Sequence, residues 1–136
     1  RTRIIPNETA MIDPKRLLVA EDNRTNRLLI KTMLKGVGMT LKFAEDGLQA
    51  VEFYDKDPPD IILMDLSMPN KNGWDATRDI RAIEEKNNLP RCPIVAVTAN
   101  VSKEDRRKCV EAGMDAFLAK PLRKERLLNT IQTVGD

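Results

Sequence analysis

Four short apolar runs, each halting at a polar residue, constrain this chain more than any other feature. Leu17 to Ala20 stops at Glu21 and Asp22; Ile61 to Met64 stops at Asp65. Ile94 to Val97 stops at Thr98; Ala116 to Ala119 stops at Lys120 and Pro121. Runs this short, bounded by turn residues, suit buried strands better than helices. Strands separated by helical crossovers pair in parallel, and all their ends of one polarity share one edge of the sheet. Ligands bind at that edge, so three carboxylates, a hydroxyl and an ammonium, spread over about a hundred residues, are expected to converge in one pocket.

The intervening segments carry helical periodicity. Leu29, Ile30, Met33, Leu34 and Val37 are spaced for one helix, which Gly36 and Gly38 mark as ending. A short strand, Thr40 to Ala44, precedes a helix with Leu48, Val51, Phe53 and Tyr54, stopped by Asp57, Pro58 and Pro59. A third helix is predicted from about Trp74 to Lys86, with Trp74, Ile80 and Ile83 as core contacts. Ser102 is placed to cap a fourth, with Glu104 and Asp105 complementing its dipole, and Gly113 ends it. A last helix follows Pro121 with Leu127, Leu128 and Ile131 inward. Five strands alternating with five helices predict a three-layer α/β sandwich on a parallel sheet.

The 136 residues suit one domain, and 41% hydrophobic with 32% charged residues argues against disorder. No apolar run approaches the ~20 residues of a membrane span. A net charge of +2, with bases mixed among acids, argues against nucleic-acid binding. One Trp, one Tyr and three Phe are too few for a base-stacking platform. Two cysteines, Cys92 and Cys109, and no histidine argue against structural zinc. Free thiols in a reducing, cytoplasmic compartment are expected, and no signal peptide is visible. Residues 1–14, with Pro6 and Pro14, read as a linker, and 15–136 as the domain. The start lacks Met, which suggests a segment of a longer protein.

Taken singly, each strand-end residue is an ordinary loop or cap residue. Their combination carries the argument. Carboxylates crowded together repel unless a cation intervenes. Mg²⁺ suits the all-oxygen set of Glu21, Asp22 and Asp65, because it takes carboxylate and phosphate oxygens and keeps several waters. Lys120 adds a fixed positive charge and Thr98 a hydroxyl. This is equipment for phosphoryl transfer onto Asp65, where positioning and charge neutralisation do most of the catalysis.

These residues, in this order, resemble the receiver domain of two-component response regulators. The likeness runs from Lys15 to about Val134, through Glu21-Asp22, the segment Ile61 to Gly73 around Asp65, Thr98-Ala99-Asn100, and Gly113 to Pro121. It implies the flavodoxin-like, doubly wound five-stranded sheet in the order 2-1-3-4-5. It implies Asp65 as phosphoacceptor, with Mg²⁺ held by Asp22, by Glu21 through water, by Asp65 and by the backbone carbonyl of Ser67. Thr98 and Lys120 would bind the phosphoryl group, the Lys120-Pro121 peptide would be cis, and Phe117 would be the aromatic switch. Ser67 and Asn100 occupy positions that tune dephosphorylation. The donor would be a phosphohistidine on a histidine kinase or phosphotransfer domain, docking near Arg27, Leu28 and Lys31. No contact with nucleic acid or membrane by this segment is expected. Within the family, the pattern looks most like receivers fused to hybrid sensor histidine kinases.

Two rival readings remain open at this point. An aspartate-nucleophile phosphatase of the haloacid dehalogenase type would want a second acid where Ser67 stands, and a cap domain. A non-phosphorylated interaction domain would have no chemical need for the whole set. A dinucleotide site lacks its glycine-rich turn, since Glu21, Asp22 and Asn23 follow the first strand.

Overall fold

The computed structural model describes residues 15–135; the segment 1–14, read above as a linker, lies outside them. Strands and helices alternate strictly. They are β1 (Arg16–Ala20), α1 (Arg24–Met33), β2 (Thr40–Ala44), α2 (Gly47–Lys56), β3 (Ile61–Asp65), α3 (Gly73–Asn87), β4 (Ile94–Thr98), α4 (Lys103–Ala112), β5 (Ala116–Ala119) and α5 (Lys124–Gly135). All strand pairs are parallel, and the sheet order is β2-β1-β3-β4-β5, as the resemblance implied.

The sheet divides two apolar layers because successive strand side chains point to opposite faces. Leu18, Ala20, Ile62, Met64, Ile94 and Ala96 face a core shared with α2, α3 and α4. Leu17, Val19, Ile61, Leu63, Val95 and Val97 face a core closed by Ile30 and Leu34 on one side and Leu127 and Ile131 on the other. Every residue of β3 and β4 is buried. β5 is an edge strand with only Leu118 fully buried, although its sequence reads as apolar as the central strands.

Caps set the helix starts. The side chains of Asn23, Asp46, Asn72 and Ser102 each accept a backbone N–H three residues on, satisfying donors that a first turn leaves free. α1 stops at Met33, so Val37 is not helical as its spacing suggested; the chain turns at Gly36 and Gly38, both at positive φ, and folds Val37 back into the core. Leu29 and Leu48, apolar residues of the first two helices, are exposed.

The edge of the sheet away from the strand ends holds a buried polar network. Glu84 is 6% exposed and accepts from the Tyr54 hydroxyl at 3.0 Å, the Cys92 amide at 2.7 Å and Arg81 at 2.9 Å. Arg81 also donates to the Cys92 and Gly113 carbonyls and to Asp115. α2, α3 and the starts of β4 and β5 are thereby joined.

Candidate phosphoryl-transfer site

The parallel register brings the polar strand ends together. Ala20 pairs with Met64, so Glu21 and Asp65 follow at the next rung; Asp65 pairs with Val97, and Thr98 with Ala119. One carboxylate oxygen from each of Glu21, Asp22 and Asp65 lies within 4.8 Å of the others. Lys120 reaches over from the end of β5, its Nζ 3.1 Å from Asp65 Oδ2 and 3.2 Å from Glu21 Oε1. Asp65 and Glu21 are buried at 3% and 2% exposure, whereas Asp22 is exposed. Burial alone would lower the Lys120 ammonium; hydrogen bonding to Asp65 and the charges of Asp65 and Glu21 outweigh it and hold Lys120 above its ordinary value.

Backbone geometry fixes the acids. The Asn23 amide donates to Glu21 Oε2 at 3.0 Å, and the Arg27 guanidinium donates to the Glu21 carbonyl at 2.9 Å. The Ser67 amide donates to Asp65 Oδ1 at 3.2 Å; the Ser67 residue itself is exposed. The Asp22 carboxylate makes no hydrogen bond or ion pair among the described residues, leaving its oxygens available. An all-oxygen donor set with one free and two buried carboxylates fits a hard divalent cation such as Mg²⁺.

Thr98 lies on the same edge, and its carbonyl accepts the Lys120 amide at 2.8 Å. Its hydroxyl is engaged by its own loop, accepting from the Asn100 amide at 3.0 Å and donating to the Asn100 carbonyl at 3.3 Å. The Lys120-Pro121 peptide is cis. Phe117 is half-buried on β5, with the Arg106 guanidinium 5.1 Å from its ring centre.

Sequence reasoning missed the residues that brace the loop after Asp65. Asn70 takes a left-handed φ of 68° and donates to Asp46 at the head of α2 at 2.6 Å. A methyl at Gly73 would lie 2.3 Å from the Asp65 carbonyl oxygen, so only glycine lets α3 start beneath Asp65. The attachment of this loop to α2 is not legible in the sequence.

Residues 17–132 match the response regulator receiver domain family. This chain is a member of that family. The receiver domain is 42% identical over 125 residues to hybrid signal transduction histidine kinase I of Dictyostelium discoideum, covering 88% of this chain and 7% of that protein. The chain thus spans a small part of the relatives it matches. Among solved structures, it resembles the receiver domain of the Pseudomonas aeruginosa sensor histidine kinase PA1611, which has magnesium in its active-site cleft. The TM-score is 0.81 and the identity 38%, over 90% of this chain and 98% of that one. It also resembles the Saccharomyces cerevisiae Ssk1 receiver domain co-crystallised with the phosphotransfer protein Ypd1. There the TM-score is 0.84 and the identity 30%, over 88% of both chains.

Proposed function

We propose that this receiver domain takes a phosphoryl group from a phosphohistidine onto Asp65 and passes the change in charge to its surface. The observation that carries the reading is Lys120 held between Asp65 and Glu21, with Asp22 free beside them. Glu21, Asp22, Asp65 and the Ser67 carbonyl would hold Mg²⁺, which when bound neutralises phosphoryl oxygens and the crowded carboxylates. An Asp65 oxygen attacks phosphorus; the P–N bond breaks, and its electron pair leaves on the imidazole nitrogen. Lys120 supplies a positive charge for the incoming oxygens without needing to be recruited, since Asp65 already holds it.

Phosphorylation adds about −1.5 to −2 charges at neutral pH. The Thr98 hydroxyl then has a stronger acceptor than the Asn100 carbonyl. Leaving that carbonyl frees the loop after β4, and Phe117 turns inward from beneath Arg106. The domain comprises residues 15–136, with residues 1–14 as a linker.

Incubation with Mg²⁺ and acetyl phosphate tests the chemistry. A mass gain of one phosphate, absent in Asp65→Asn, is expected; label surviving that substitution, or catalytic turnover of phosphate esters, overturns the reading.

Ssk1, a structural relative, was crystallised with a histidine phosphotransfer protein. A donor of that class would dock here on α1. Leu28 is 62% exposed and Lys31 is exposed on the same helix, which begins at the acidic edge. Leu28→Ala with Lys31→Ala is expected to slow transfer from a protein donor about tenfold or more, as loss of an interface anchor does. The rate with acetyl phosphate, which needs no docking surface, stays unchanged. Equal slowing with both donors would move the docking face elsewhere.

A further inference from the structure

Two unpaired surfaces flank the β2 edge of the sheet. On one side a groove of about 630 Å³ separates α1 from β2, with Leu28, Leu34, Met39, Leu41 and Phe43 among its walls and Lys31 and Lys35 on its rim. No acidic residue lines it, α1 contains none, and neither lysine has an ion-pair partner among the described residues. On the opposite sheet face, α2 turns Leu48, Glu52 and Asp55 outward. Their spacing of four and three puts them on one helical stripe. Leu48 is 47% exposed, and neither acid is paired among the described residues. Between these surfaces β2 pairs with β1 alone, leaving its outer edge open.

We propose that a second copy of this chain occupies the groove, its α2 stripe seating Leu48 among the apolar walls with Glu52 and Asp55 against Lys31 and Lys35; Leu28 and Lys31 belong also to the proposed donor-docking face, so dimer and docked donor exclude each other. The match is of charge and of character: a cationic rim around an apolar floor meets an acidic stripe around an exposed leucine. It is also self-complementary. A twofold axis along the β2 edge exchanges the two sheet faces, so each copy offers a groove to its neighbour's α2 and receives the reverse. The open edges of β2 then lie side by side, which hides an otherwise exposed pairing template.

Charge exchange tests this with the intact chain. Sedimentation equilibrium between about 10 µM and about 1 mM, where weak homodimers populate, should show concentration-dependent dimer. Lys31→Glu with Lys35→Glu should give monomer, and so should Glu52→Lys with Asp55→Lys. Mixed one to one, the two variants should associate, because both swapped contacts are then restored. Circular dichroism confirms that each variant is folded. A monomeric parent across that range, or folded variants that stay monomeric when mixed, overturns the proposal. Because the readout is mass without phosphorylation, its failure leaves the Asp65 chemistry untouched.

Discussion

Lys120 determines the electrostatics of the site at the residue scale. It neutralises two buried carboxylates that would otherwise face each other across adjacent strands. Lys120→Ala should therefore cost about 1–3 kcal/mol in urea unfolding at neutral pH. That is less than the 3–5 kcal/mol typical of a fully buried pair, because water still reaches the lysine. Added Mg²⁺ should shrink the loss, since without the competing ammonium the acids bind the cation more tightly than in the parent, and binding to the folded state adds stability by mass action. A Lys120→Ala midpoint equal to the parent's without divalent cation would refute this account. The raised Lys120 value sets the sign with pH. The pair contributes fully below the unfolded value of about 10.4 and is lost as pH climbs through the higher folded one.

The loop from β3 to α3 is the element on which the site depends. Its glycine lets helix α3 begin against the Asp65 carbonyl, and its Asn70 fastens it to α2. Gly73→Ala forces a methyl into backbone that has no room to give. A loss of about 1–3 kcal/mol is expected, read as a lower urea midpoint with unchanged slope. A wild-type midpoint would show that the helix start can shift. The elements themselves were legible in the sequence because short continuous apolar runs and helical patterning record burial directly. Glu21, Asp65, Thr98 and Lys120 were legible because strand polarity alone collects them at one edge. Val37 was misplaced, and the exposure of Leu29 and Leu48 was not legible, because periodicity carries no information on where a helix stops or which apolar residues a neighbour covers. Glu84 was not seen at all: an acid in a helix reads as surface, and only the folded chain gathers its three donors.

At the scale of the whole molecule, the polar network at the far edge makes the fold sensitive to alkali. Burial, and then the Glu84 charge, push the Cys92 thiol up to about 12. Burial and the Glu84 hydrogen bond likewise raise the Tyr54 phenol. Both groups hold their protons longer folded than unfolded. Their contribution is complete below the unfolded thiol value of about 8.5 and drains as pH rises, by up to about 1.4 kcal/mol per pH unit for the thiol. Urea midpoints measured from pH 8 to 11 should fall, and Cys92→Ala should flatten that fall; parallel slopes in the two proteins would refute it. The same network has a mechanical side. All five N–H donors of Arg81 are spent on acceptors from α3, the loop before β4 and the turn into β5. A beam clamped at one end deflects at the other. Charge arriving at the free end of β4 and β5 is thus converted into local displacement there, instead of being dissipated as a general loosening of the sandwich.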